Sequence, residues 1–218
     1  MSSISHRRGG ADDLSRERGR NYSISWGTTP SSVAPYVPTP LRIVRKMLEL
    51  AGAGADDVVY DLGCGDGRIL FTAVEEFDAK MAVGYELNPS MCESILRKAE
   101  SQGLRGRVKV VNENFFLADL SPASLITLYL TTSGNSKLKP KFEKELHGGA
   151  RVVSHDFPIH GWTTLKRGNP NHYELGSHRI YLYRVPDSYG TGLRALRASG
   201  ALTRWQRFRD AFFGSEDG

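Results

Sequence analysis

Cysteine is scarce: the 218-residue chain has only Cys64 and Cys92, too few for a disulfide framework or a four-thiolate zinc site. Neither has a histidine beside it in sequence, which removes a cysteine nucleophile. The six histidines show no H-x-x-x-H or comparable spacing, so no metal is expected. No stretch approaches the roughly 18 to 20 apolar residues of a membrane-crossing helix; the best run, residues 125–130, has strand length and contains Thr127. No G-x-x-x-x-G-K-[ST] occurs, which excludes a phosphate P-loop. A large excess of one charge is missing too. The 29 Lys and Arg against 24 Asp and Glu give +5, spread evenly along the chain. Such a balance aids solubility and permits weak nucleic-acid contact without outlining a groove for it.

What is present reads as three parts. Residues 1–30 are rich in Ser, Arg and Gly, with little to bury, and read as a disordered basic tail. A mitochondrial transit peptide would lack acids such as Asp12, Asp13 and Glu17, so the expected compartment is the cytoplasm, with mitochondrial targeting the lesser alternative. Residues 31–186 read as the folded domain, and 187–218 as a basic amphipathic extension with Leu193, Leu196, Trp205, Phe208 and Phe212 at helical spacing.

Within the domain, Leu41, Val44, Met47, Leu48 and Ala51 mark an amphipathic helix begun after Pro40 and stopped by Gly52. Strand and helix patterns then alternate: a strand at 58–60 ending in Asp61, a helix to Phe77, a strand at 81–85, a helix at 90–102, and strands at 108–112 and 125–130. A helix at 135–146, a strand at 151–154 and a late β-rich run at 178–185 complete the series. The alternation predicts an α/β fold: a Rossmann-like doubly wound seven-stranded sheet, mostly parallel, with an antiparallel strand near the C-terminus.

The chemistry points to Asp61-Leu62-Gly63-Cys64-Gly65-Asp66-Gly67. A strand meets a helix there, and three glycines at alternate positions let a ligand lie on bare backbone near a helix N-terminus. The dinucleotide fingerprint G-x-G-x-x-G fails, because Arg68 stands where its third glycine belongs. Glu86, directly after the next strand, is placed to accept both hydroxyls of a ribose. Asn114 and Phe115 follow the third strand, where an amide meets an adenine edge and a ring covers its face.

These residues resemble the class I S-adenosylmethionine-dependent methyltransferases with a seven-stranded sheet. More narrowly, residues 35–40 (Pro-Tyr-Val-Pro-Thr-Pro), Asn114-Phe115-Phe116, Leu138-Lys139-Pro140-Lys141 and residues 151–157 (Arg-Val-Val-Ser-His-Asp-Phe) resemble the archaeal broad-specificity protein-lysine methyltransferases and their mitochondrial relatives. The resemblance implies that S-adenosylmethionine is the cofactor. Tyr36 and Thr39 would close over it, Asp61, Gly63 and Gly65 would hold its methionine part, Glu86 the ribose, and Asn114 with Phe115 the adenine. Residues 131–135 differ in part from the family's pattern, keeping Thr132 and Asn135 as candidates beside the reacting atoms; Tyr36, His155 and Trp162 are further candidate walls of the substrate channel.

The expected reaction is transfer of a methyl to lysine side chains of proteins, with broad substrate range and by direct displacement. Expected partners are lysine-containing proteins, chromatin or nucleic-acid-associated ones among them, and the expected state is a monomer. The alternatives are a methyltransferase of RNA or DNA and a non-catalytic nucleotide-binding module. Enzymes that methylate exocyclic base nitrogens usually carry Asp or Asn, two prolines and an aromatic after the fourth strand, and here that place reads Leu130-Thr131-Thr132-Ser133.

Overall fold

A computed structural model describes residues 36–190, all within the unit Ser32–Gly218. The basic tail and nearly all of the C-terminal extension expected from the sequence lie outside the described residues.

The elements follow the hydrophobic pattern closely. Helix α1 (Leu41–Ala51) begins after Pro40, whose fixed φ suits a helix entrance, and buries Ile43, Val44, Met47, Leu48 and Ala51. Gly52 ends it at φ +62°, its N–H donating to Glu49 O while Ala53 N–H reaches Leu48 O. This left-handed stop is open to glycine at no steric cost. There follow β1 (Val58–Leu62), α2 (Arg68–Glu75), β2 (Met81–Tyr85), α3 (Pro89–Ser101), β3 (Val108–Val111), β4 (Leu125–Leu128), α4 (Thr132–Glu145), β5 (Arg151–His155), β6 (Tyr173–Leu175) and β7 (His178–Arg184).

The seven strands form one sheet in the order β3-β2-β1-β4-β5-β7-β6. Strands β1 to β5 pair in parallel, and β7 pairs antiparallel with β5 and β6. Alternation along the strands divides the core into two layers. Val59, Ala82, Leu125 and Val153 face α1, α2 and α3, through Met47, Leu48, Phe71 and Ile95. Tyr60, Leu62, Ile126, Leu128 and Val152 face the other way, onto Leu138 and Phe142 of α4. Burial on both faces explains why the strands read as continuous apolar runs.

Three expectations need correction. Strand β4 stops at Leu128 rather than at Leu130, because Tyr129 turns out of the sheet to lie against His155 and Leu130 packs beside Gly63. Helix α4 starts at Thr132 instead of Asn135, since Thr131 caps it with Oγ1 accepting from Gly134 N–H at 3.1 Å. Asn135 therefore sits in the first turn. The three-residue β6 carries too short a pattern to be read from sequence, and it pairs with β7 through Tyr173 and Leu175.

A largely buried ion pair closes the end of the sheet away from the loop. Arg151 at the start of β5 pairs with Asp57 and donates to Ala51 O at 2.7 Å and Gly52 O at 2.9 Å, the free carbonyls of the α1 terminus. Asp57 also accepts from Ser124 Oγ at 2.6 Å and Gly54 N–H at 2.9 Å. Arg151→Ala leaves a nearly buried carboxylate without its cation and two carbonyls without donors. Urea unfolding should show a loss of about 3 kcal/mol with an unchanged m-value.

Candidate active site

In this sheet the order reverses between β1 and β4, so a crevice opens beyond their C-terminal ends. Open α/β sheets bind their ligands at that place. Asp61, near the end of β1, and Thr127, its register partner on β4, lie two residues beyond Val59 and Leu125 and so share the face of α1 and α2. Thr127 Oγ1 donates to Asp61 Oδ1 at 2.7 Å. Asp61 is 3% exposed, and no Lys, Arg or His pairs with it among the described residues. Burial raises its carboxyl to about 7, opposed by the Thr127 hydrogen bond and reinforced by the charges of Glu86 and Asp66. A buried acid in this state favours the arrival of a cation.

The glycine loop follows immediately. Gly63 and Cys64 N–H groups both donate to Tyr85 O, at 2.9 and 3.0 Å, which ties the loop to the end of β2. Two glycines are required by space as well as by φ. A Cβ on Gly65 (φ +54°) would stand 2.6 Å from the Tyr36 ring, and one on Gly67 (φ +76°) 2.8 Å from Ile95. Cys64 is buried beneath the loop and burial pushes its thiol well above the usual range, so it packs and does not react.

Glu86, half-buried just past β2, accepts from Gly65 N–H through Oε2 and from Asn88 N–H through Oε1, each at 2.9 Å. Its carboxylate is thereby locked beside the loop, each oxygen keeping a lone pair for a further donor. Asn114 Oδ1 accepts from Phe116 N–H at 3.0 Å and shapes the turn after β3, while Phe115 is buried in the core with its ring edge toward Gly63.

The segment before α1 lies across this loop. Tyr36 packs on Gly65, and its phenol shares hydrogen bonds with Asp66 and Arg68; burial first, then the Asp66 charge, raises its pKa. Arg68 pairs with Asp66 and reaches Thr39 O at 2.8 Å. Arg68 also holds the Asp66 carboxyl below its ordinary range. Thr39 is buried and its hydroxyl meets His155 Nδ1 at 3.2 Å. Sequence reasoning paired none of these.

On the other side, Asn135 is fully buried in the first turn of α4. Its Nδ2 donates to Ser154 Oγ at 3.2 Å and Phe157 O at 2.9 Å, and its Oδ1 has no protein partner. Thr132, the first residue of α4, is half-buried three residues earlier. Trp162 does not line a channel. It is 7% exposed among Phe142, Tyr183 and Tyr189, with Nε1 donating to Glu143 Oε1 at 2.8 Å.

His155 ends β5 fully buried, packed on Tyr129 with ring centroids 3.9 Å apart and the rings tilted by 35°. Burial holds its imidazole neutral, pushing the pKa down to about 4 against the pull of Asp156. His178 and Asp156 adjoin it.

The protein-lysine N-methyltransferase of Saccharolobus islandicus is 49% identical over 154 residues, which cover 66% of this chain and 96% of the relative. The chain belongs to the protein-lysine methyltransferase family. The family described as ANTKMT methyltransferase domain matches residues 61–166 of this methyltransferase, from the buried acid of the loop to the segment after β5. The adenine nucleotide translocase lysine N-methyltransferase of Mus musculus is 31% identical over 72% of the methyltransferase, which spans 65% of the mouse protein's length. Among solved structures, one described as an RNA methyltransferase from Salinibacter ruber with S-adenosyl-L-homocysteine superposes with a TM-score of 0.66. It shares 36% identity, covering 72% of this chain and 99% of that chain. The cofactor of this methyltransferase is S-adenosylmethionine, and the buried Asp61, the bare backbone at Gly65 and the locked Glu86 suit it.

Proposed function

We propose that this methyltransferase transfers the methyl of S-adenosylmethionine to lysine side chains of protein substrates, over a broad range of targets. The observation that carries the reading is the 49% identity to a protein-lysine N-methyltransferase across 96% of that relative's length. In this reading the domain is residues 31–186, flanked by a basic tail and a basic extension, and the chain acts as a monomer in the cytoplasm. Chromatin or nucleic-acid-associated proteins are among its targets.

Asp61 receives the cationic amine of the methionine part, next to Gly63 and Gly65. Glu86 takes the ribose hydroxyls, and Asn114 with Phe115 the adenine. Tyr36 and Thr39 cover the assembly and exclude water. The bound cofactor supplies a methyl on a sulfonium, open to direct displacement without a covalent enzyme intermediate.

The residues then have to align a neutral amine with it. Deprotonating a lysine of pKa about 10.4 at pH 7 costs about 4.6 kcal/mol. A nearby positive charge and an apolar passage both disfavour the ammonium and lower that cost. Asn135 Oδ1, buried without a donor, is a ready acceptor for an N–H of the arriving amine, with Thr132 at the start of the same helix. Both residues align the substrate and need not take its proton.

A second reading, methylation of RNA, draws on the Salinibacter neighbour described as an RNA methyltransferase at 36% identity. Against it, the turn after β4 lacks the acid-Pro-Pro-aromatic grip and instead feeds a Thr131-capped helix. Incubation with labelled S-adenosylmethionine, lysine-rich proteins and RNA separates the readings. Methyllysine by peptide mass mapping is the expected result, whereas label released by ribonuclease with no methyllysine would establish the second reading.

A further inference from the structure

The antiparallel pairing of β5 with β7 brings His178 to the neighbouring pair His155 and Asp156, more than twenty residues earlier in the chain. His155 ends β5, Asp156 follows it, and His178 begins β7, across the register pair His155↔Ile180. Their ligand-type atoms converge. His155 Nε2 is 2.9 Å from His178 Nδ1 and 3.2 Å from Asp156 Oδ2, and His178 Nδ1 is 3.5 Å from the same carboxylate oxygen. Atoms at these separations lie on a circle of radius about 1.9 Å, so a point just off their plane is about 2.0 to 2.1 Å from each, the length of zinc bonds to histidine and carboxylate.

The surroundings hold the three in this pose. The other ring nitrogen of His155 is engaged by the Thr39 hydroxyl at 3.2 Å, and its ring is clamped against Tyr129. With Nδ1–H donating to Thr39, the Nε2 lone pair faces the cluster, and fixing the tautomer through the remote nitrogen is the usual support of a histidine ligand. Asp156 Oδ1 accepts from Arg179 N–H at 2.8 Å and Oδ2 faces the cluster, while the same carboxylate also hydrogen-bonds the Tyr129 phenol. Asp156 itself stands at φ +58°, a backbone state uncommon for residues other than glycine. In this tautomer His178 Nδ1 faces two acceptors at once, His155 Nε2 and Asp156 Oδ2. A cation satisfies all three together.

We propose that His155, Asp156 and His178 bind a zinc-class divalent first-row metal ion. The two imidazoles and one carboxylate suit such an ion rather than calcium or magnesium, which take all-oxygen sets. The site is separate from the cofactor loop but joined to it. Thr39 contacts His155 through its hydroxyl and Arg68 of α2 through its carbonyl, so the ion would fix the anchored end of the segment that covers the glycine loop.

The test uses the full chain without an affinity tag, stripped with chelator, titrated with Zn²⁺ by calorimetry and with Co²⁺ by visible absorption. One equivalent of Zn²⁺ should bind and raise Tm, and Co²⁺ should develop the d–d bands of a nitrogen- and oxygen-ligated ion. His178→Ala and Asp156→Asn should each weaken Zn²⁺ binding by at least about tenfold. Asn tolerates the left-handed backbone at 156, and circular dichroism checks that both variants fold. His172→Ala, which alters the exposed His172–Glu174 pair instead, should leave binding unchanged. Failure to bind one equivalent, equal binding by folded His178→Ala, or equal loss in His172→Ala would overturn the proposal.

Discussion

Asp61→Asn should bind S-adenosylmethionine about 100-fold more weakly than the parent chain at pH 8, a change of about 3 kcal/mol, while its cofactor-free form should melt several degrees higher. Both effects arise from one carboxylate that is 3% exposed with a threonine hydroxyl, and no cation, as its described partner. Its folded pKa of about 7 stands far above the ordinary carboxyl range. Such a group favours the folded cofactor-free state fully below the unfolded pKa of about 4, and that contribution is lost as pH rises through about 7. At pH 8 the ionised, unpaired form is a cost that Asn removes. A cationic amine prefers the ionised form, so the parent's affinity should level off above about pH 7 and fall by up to tenfold per unit below it. Asp61→Asn should bind with a flat profile. Calorimetric titration from pH 5.5 to 8.5 and thermal melts of the cofactor-free proteins measure both; an equally pH-dependent affinity in Asp61→Asn would remove Asp61 from the proposed site.

Gly65→Val should abolish measurable cofactor binding, weakening it by at least about 100-fold, with the fold retained. At φ +54° a β-branched residue is strained by about 1 to 2 kcal/mol or more. Its Cβ also occupies the place of the Tyr36 ring, 2.6 Å from Cε2. Tyr36 is 53% exposed and can swing aside, so folding survives. The added methyl groups remain on the backbone surface where the ligand has to lie. Calorimetry reads the binding, and circular dichroism the fold. Tyr36→Ala/Gly65→Val separates the causes: binding restored in the double variant would place the whole effect in the tyrosine, whereas continued loss locates it at the loop.

The sequence was most informative where chemistry and chain order coincide. Asp61, the alternate glycines and Glu86 belong to consecutive strand ends, and β1 to β3 are neighbours in both sequence and sheet, so a local reading sufficed. In the sequence Thr127 is only a polar interruption in an apolar run. Its role as the partner of Asp61 depends on the register of β1 with β4, 66 residues apart. The contact between Thr39 and His155 spans 116 residues and carries no local pattern. The three-residue cluster was hidden for the same reason: metal spacing along a helix or tight turn is visible in a sequence, but spacing across two antiparallel strands is not. Asn135 was identified by resemblance, yet its orphan oxygen follows from the α4 cap at Thr131, which moved the helix start back by three residues. Trp162 was misplaced because an aromatic after a strand has the same signature whether it faces a cleft or the core.

The segment from Tyr36 to Thr39 is held unevenly, and this bears on turnover. At its Thr39 end the contacts are buried, but at Tyr36 they are to the partly exposed Asp66 and Arg68 side chains. Exposed polar contacts of this kind are worth about 1 kcal/mol or less each. The segment is therefore a latch pinned at Thr39 and loose at Tyr36, opening by a local side-chain and backbone swing. In the proposed site, spent cofactor would leave without separating the sheet or its helices.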